Sequence, residues 1–470
     1  MLRRLEALGN KLPDPVVLFG LAALTIAALS ALLAGWTVPH PAKPELVAVV
    51  SLLDGPNLRR VFTEAVRNFA AFPPLASVLV AIMGIGLADR SGLISAVLGR
   101  AVAAVPPRLL TLSLLFVGAN GAIASDACFV VLVPLGAALW ARAGRHPLAG
   151  MTIAYAAVSG GYGANLLVTA LDPLLAGLTE AAARLVEPGA RVSATCNWYF
   201  NAASVLVVTG VGALVAPAVE RRFGVWSGEG EVETEGVSLV PAGIALLVTV
   251  AGLAAVCRGV LYDGTWTPVY DSIVILVAVS AAVPGVVHGV ANGLIRNSHD
   301  AVRLCSEAVS GMGGYLVLAF AAAQFVAWFN WSNLGLVLAV RGASVIEQSG
   351  LGVTPLLCLF VLVSAFLNLI IASASAKWAF MAPLFVPMLM LVGIEPATTQ
   401  AAYRVGDAVT NILTPLMPYM PIVLATARRY VPSAGQGTIL AAQVPFALAW
   451  GVAWTALLLF WNWMGWPLGV

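Results

Sequence analysis

Three ionisable side chains, Asp172, Arg404 and Asp407, lie in otherwise apolar chain, and two polar clusters accompany them. The first cluster, in "GANGAIASDACFVVLVPLGA" (118–137), contains Asn120, Ser125 and Asp126. The second, in "LNLIIASASAKWAFMAPLFVP" (367–387), contains Asn368, Ser373, Ser375, Lys377 and Trp378. An ionisable group at membrane depth costs about 3 kcal/mol on insertion scales, so such groups are rarely idle. Their chemistry is that of holding charge. Hydroxyls and the N-termini of half-helices suit an anion, carboxylates and freed carbonyls suit a cation, and the planar fork of Arg404 suits a carboxylate or sulfonamide. Each residue also has a structural role open to it. Arg404 and Asp407 are spaced i,i+3 and could pair on one helix face. Asp126 could cap a helix, Lys377 could extend to the membrane surface, and Trp378 could anchor at the interface instead of stacking on a ring.

The elements that must position these residues are membrane helices. Of 470 residues, 60% are hydrophobic and 10% charged, with a mean hydropathy of +0.94, against roughly a quarter charged in soluble domains. Stretches such as 16–35, 239–256 and 443–461 approach or reach the ~20 residues that cross ~30 Å of hydrocarbon, whereas 71–88 and 127–141 read as too short or too broken to cross. The chain is therefore an all-α polytopic membrane protein. Its basic start, "MLRRLEALGNKLPDP", with no small-residue cleavage site after the first apolar run, reads as a cytoplasmic N-terminus before a retained helix. A net charge of +2 argues against a nucleic-acid partner, and five cysteines without CxxC spacing argue against a disulfide or zinc framework.

The polar interval "ERRFGVWSGEGEVETEG" (220–236) divides two similar halves: 1–225, then a cytoplasmic linker at 226–237, then 238–470. Ile123-Ala124-Ser125 aligns with Ile371-Ala372-Ser373, Pro134 with Pro383, and Pro147 with Pro396; Asn165 then falls on Asn411. Ahead of Pro147 stand Arg142 and Arg145, but ahead of Pro396 stands Glu395, so equivalent loops lie on opposite sides of the membrane and the repeat is inverted. The polar clusters then read as the tips of two re-entrant hairpins, at about 107–142 and 354–392, that meet near the midplane. Irregular backbone there requires protein or water to satisfy it. The segments that follow, "SGGYGANLLVTALDP" and "YRVGDAVTNILTPLMPYMP", are broken by glycine and proline. An acidic residue in a broken helix beside a hairpin tip is the pattern of a cation site. Asp89, Arg90, Arg296, His299, Asp300 and Arg303 fall in short polar breaks and read as solvated loop charges. No dinucleotide fingerprint, Walker lysine or metal-ligand cluster is present, which leaves an ion gradient as the energy source for transport and calls for no cofactor.

Over nearly its whole length the sequence resembles the AbgT family of p-aminobenzoyl-glutamate transporters. The blocks that carry the resemblance are "GNKLPDPVVLF", "RSGLISAVLGR", "SDACFVVLVPLGA", "GRHPLAGMTIAYAAVSGGYGANLLVTALDPLLAG", "SEAVSGMGGYLVLAFAAAQFVAWFNWSNLG" and "GDAVTNILTPLMPYMPIV", in the family's order. The resemblance implies a homodimer in the bacterial inner membrane, with about nine spanning helices and two re-entrant hairpins per protomer. It also implies a cavity facing the cytoplasm. The implied activity is gradient-driven movement of p-aminobenzoyl-glutamate, p-aminobenzoate or a sulfonamide. Carried over to this chain, the substrate route runs past Asp172, Ser375, Trp378, Pro396, Arg404, Asp407 and Pro415, with a sodium grouping at Asn368 and Asp407. The coupling ion is sodium or the proton, and Asn165 and Asn411 are further candidates to hold it. The rival of the same class is a dicarboxylate transporter, against which Trp378 beside Arg404 argues. The rival of another class is an intramembrane enzyme with Asp172 and Asp407 as its acid pair, against which their placement in separate broken helices argues.

Overall fold

The computed structural model describes residues 15–39, 45–103, 106, 108–124, 127–224, 226, 238–369, 371, 373–414, 417 and 419–470. Ser125, Asp126, Pro415 and nearly all of the linker at 226–237 lie outside the described residues. Among the described residues the regular structure is helical apart from one two-stranded ribbon. In order, the elements are α1 (Pro15–Leu32), β1 (Thr37–Pro39), β2 (Leu46–Ala48), α2 (Gly55–Thr63), α3 (Ala65–Ala70), α4 (Pro73–Arg90), α5 (Leu93–Ala103), α6 (Leu110–Ala119) and α7 (Ala127–Arg142). There follow α8 (Pro147–Gly160), α9 (Leu171–Ala183), α10 (Trp198–Phe223), α11 (Val240–Val256), α12 (Thr267–Asp271), α13 (Ile273–Ala291), α14 (Ser298–Ser310) and α15 (Gly313–Trp331). The last are α16 (Leu334–Gln348), α17 (Val353–Asn368), α18 (Ala374–Leu391), α19 (Pro396–Asn411), α20 (Met420–Tyr430) and α21 (Gln436–Trp463).

Among the described residues six helices are long and apolar enough to cross a membrane: α10, α11 with its π-helical extension to Leu261, α13, α15, α18 and α21. The protein is therefore a multi-span membrane protein. α18, at 18 residues or about 27 Å, has nearly the length of a full crossing, longer than the half-crossing that a re-entrant arm implies. The stretch 73–90 forms one helix of 18 residues, and it is not among the six apolar enough to cross. Its glycines are contact points. A Cβ on Gly84 would lie 2.2 Å from the Ala278 carbonyl oxygen, so α4 and α13 approach backbone to backbone as small residues allow in membrane helices.

One order of elements occurs twice. α6, a short 3-10 turn (Gly121–Ala124), α7 and α8 lead through a 3-10 break at Gly161–Gly163 to α9; α17, α18 and α19 are followed in the same order by α20. Local chemistry explains the boundaries. Pro147 and Pro396 each open a helix, where a missing backbone N–H costs nothing and the fixed φ is already helical. Ser373 caps α18, its hydroxyl accepting from the Ala376 N–H at 3.3 Å. α6 and α7 pack on α8, α17 packs on α19, and α9 of the first set packs on α18 of the second, which draws the two breaks and the two tips together. Trp140, Trp378, Trp450 and Trp454 are wholly enclosed in the core; Trp450 donates to the Val208 carbonyl at 3.0 Å and Trp454 to the Ser204 hydroxyl at 2.7 Å, tying α21 to α10.

Candidate functional site

α19 carries Arg404 and Asp407 three residues apart, yet the two do not pair. The Arg404 guanidinium reaches Asp172 at the start of α9, and the Asp407 carboxylate accepts from Lys377 on α18. All four are buried. The i,i+3 pairing that the sequence allowed would have left Asp172 and Lys377 as lone buried charges, and an uncompensated buried charge costs several kcal/mol. Two cations and two anions are instead matched across three helices. This also removes the surface-seeking role for Lys377, whose ammonium is fully enclosed. The acid-pair reading falls too, because each carboxylate is committed to its own cation.

Further bonds orient both pairs. The second oxygen of Asp172 accepts from the Thr169 N–H at 2.6 Å and its hydroxyl at 2.8 Å, so the broken segment before α9 wraps its own acidic residue. The Asn201 amide, oriented to satisfy both of its atoms, accepts from Arg404 Nη1 at 3.0 Å and donates to the Gly163 carbonyl at 3.2 Å. Arg404 Nε has no partner among the described residues. At the other pair, Lys377 donates to Asn368 Oδ1 at 2.6 Å as well as to Asp407, and its ammonium lies 5.4 Å from the Tyr403 ring centroid. The Asn368 amide donates to the Asp407 carbonyl at 2.7 Å, to Thr410 Oγ1 at 3.0 Å and to Asn411 Oδ1 at 2.8 Å. Asn411 in turn donates to Asp407 Oδ2 at 3.3 Å. A sodium ion at Asn368 and Asp407 would need their side-chain oxygens. The Lys377 ammonium already holds one oxygen of each, so the residues present supply a cation of their own there and do not fit sodium beside it.

The first hairpin uses its polar residue to satisfy backbone. Asn120 closes α6, donating to the Phe116 carbonyl at 2.9 Å, while its oxygen accepts from the Leu166 N–H at 3.0 Å in the break after α8. Asn165, buried beside it, donates to the Tyr162 carbonyl at 3.3 Å and leaves its oxygen without a partner among the described residues. Nothing occupies the equivalent of the Lys377–Asp407 pair. On the offset that matches Asn165 to Asn411, Asp407 falls on Gly161, and on the offset that matches Pro134 to Pro383, Lys377 falls on Cys128, so the two segments differ in charge at these positions.

Next to these pairs lies a cavity of about 460 Å³. Ala122 of the first tip, Ser373, Ala374 and Ser375 of the second, and Tyr162 and Asn411 from the broken helices all line it. Tyr315 on α15 and Tyr419 before α20 add aromatic wall, with Tyr419 stacked on Phe129 at 4.1 Å between centroids. Ser375 and Asn411 thus face the cavity. Trp378 does not: its ring packs against Tyr403 at 4.4 Å and its N–H donates to Thr179 Oγ1 at 2.9 Å, so it is enclosed structure and not an open stacking face. Pro396 opens α19 at the end opposite Asn411 and is absent from the lining. Among the described residues the charged members of the lining are Asp89 and Arg90 at the end of α4, which the sequence suggested were solvated loop charges. A helix end carrying two charges looks the same in sequence whether it meets water or a cavity; only the packing of α4 and α9, both of which contribute lining residues, distinguishes the cases.

A model of the AbgT putative transporter family matches residues 1–470. The chain belongs to the AbgT family. The transporter is 36% identical, over 99% of its length and 95% of the relative's, to the p-aminobenzoyl-glutamate transport protein of Escherichia coli (strain K12). Its structure matches the Alcanivorax borkumensis YdaH transporter, described as having an unusual topology, with a TM-score of 0.94, 42% identity, and coverage of 97% of this chain and 100% of that one. It matches Neisseria gonorrhoeae MtrF, described among antimetabolite efflux pumps, with a TM-score of 0.90, 39% identity, and coverage of 98% and 97%. These relatives are transporters, and this protein is a membrane transporter and not an enzyme.

Proposed function

We infer that the protein is a secondary active transporter that moves p-aminobenzoyl-glutamate, p-aminobenzoate or a related aromatic solute, sulfonamides included, against its gradient. The observation that carries this reading is the cavity itself, in which both hairpin tips and both broken helices converge beside buried, internally neutralised charge. Its tyrosines supply the flat apolar surface an aminobenzoyl ring needs, the part Trp378 was expected to play, and the hydroxyls of Ser373 and Ser375 supply donors for a carboxylate or sulfonyl oxygen. The tyrosine wall favours an aromatic solute over a plain dicarboxylate. Of the two coupling ions, the Lys377 ammonium on the oxygens sodium would use supports the proton. The reading places the protein as a homodimer in the bacterial inner membrane, with α11, whose apolar face is largely bare, available to lipid or to a second copy. The test is expression in cells that lack endogenous transport. Accumulation of labelled p-aminobenzoyl-glutamate only when the protein is present identifies import, and sulfonamide resistance abolished by a protonophore identifies export; the absence of both responses would sink the reading.

A further inference from the structure

The guanidinium that the family carry-over gives to the solute is Arg404, but Arg404 is buried in its pair with Asp172 and is not part of the cavity wall. Lys377 is spent in the same way on Asp407 and Asn368. An anionic solute in the cavity therefore needs a different cation. Among the described residues Arg90 is the basic residue of the lining; it is exposed at the end of α4, and its side chain makes no ion pair or hydrogen bond within that set. Asp89, its neighbour in the lining, has interactions of its own. Gly86, one turn before Arg90 on α4, packs closely against Ala308 in the same cavity wall.

We propose that Arg90 is the carboxylate receptor of this transporter and sets its preference between solutes that carry a carboxylate and solutes that do not. This rests on the transport reading above and deepens it. The Arg90 fork takes a carboxylate through two parallel N–H donors, while the tyrosine wall takes the ring. Lys377 and Arg404 keep the helices matched and stay out of the binding event. A neutral aromatic sulfonamide uses the ring surface and the serine hydroxyls but not Arg90.

The test is calorimetric binding to the purified full-length protein in detergent, with p-aminobenzoyl-glutamate and with sulfanilamide, which has no carboxylate. Arg90→Gln should raise the Kd for p-aminobenzoyl-glutamate by about 10- to 100-fold, the loss expected of a charge-assisted hydrogen bond, and shift the ratio of the two Kd values by a similar factor. Arg90→Lys should recover part of the loss, because it restores the charge but not the fork. Arg59→Gln on the exposed α2 serves as the control for the loss of one positive charge and should leave both values unchanged. An unchanged Kd for p-aminobenzoyl-glutamate in Arg90→Gln, or equal loss for both solutes, overturns the proposal. Wild-type protein that binds neither solute removes the transport reading, and this inference with it.

Discussion

Removing the Lys377 ammonium strands two acceptors at once. Asp407 Oδ1 and Asn368 Oδ1 both lose their donor, and Asp407 retains only the Asn411 amide at 3.3 Å on its other oxygen. Two charge-assisted bonds at about 1.5–3 kcal/mol each, with a carboxylate left buried, set the cost of Lys377→Gln at about 3–5 kcal/mol. Asp407→Asn should cost a similar amount, since it leaves the ammonium enclosed without a counter-charge. The double variant, with amides at both positions, leaves no orphan charge and should cost only about 1–2 kcal/mol. The two positions are therefore coupled by several kcal/mol of opposite sign to the single losses. The assay is reversible unfolding in mixed micelles, run as a double-mutant cycle. Single losses that simply add in the double variant would refute the argument that the two charges exist to neutralise each other. The same cycle at Arg404 and Asp407 should show much weaker coupling, because those residues reach for different partners.

Trp378→Ala should destabilise by about 3–5 kcal/mol and Trp378→Phe by about 1 kcal/mol, the latter reporting the lost bond to Thr179; micelle unfolding checks both. Gly406→Ala should cost about 1–3 kcal/mol, since its Cβ would meet the Val361 carbonyl oxygen at 2.4 Å and wedge α19 away from α17. His146 caps α8 through Nδ1, which accepts from the Leu148 N–H and must be unprotonated to do so, and partial burial lowers its pKa from the ordinary 6.5. A folded pKa below the unfolded one means that its contribution is intact above about pH 6.5 and is lost as pH falls below that value. His146→Asn keeps a cap that does not titrate, so the variant should lose less thermal stability than wild type on acidification.

Much of this was legible in the chain because polar residues are so costly in apolar surroundings that each one marks a place. Asn120, Asn368, Ser373 and Asn411 were identifiable as tip and break residues on that ground alone, and proline spacing located the starts of α8 and α19. Partner choice was not legible. Arg404 and Asp407 share a helix face by spacing, and only the arrival of α9 on one side and α18 on the other divides them. Trp378 misled for a related reason. Tryptophan next to a polar tip looks the same in sequence whether it faces a cavity or packs on Tyr403. The close approach of α4 to α13 at Gly84 was not legible either, because Ala278 lies almost two hundred residues away in the chain.

The most direct test of gradient-driven transport is flux in proteoliposomes with proton and sodium gradients imposed separately. The structure leads to the expectation that a proton gradient drives labelled p-aminobenzoyl-glutamate beyond equilibrium, that a sodium gradient alone does not, and that Asp407→Asn abolishes the accumulation. Solute that only equilibrates under every gradient would contradict the account, and accumulation driven by sodium alone would contradict the place it gives to Lys377.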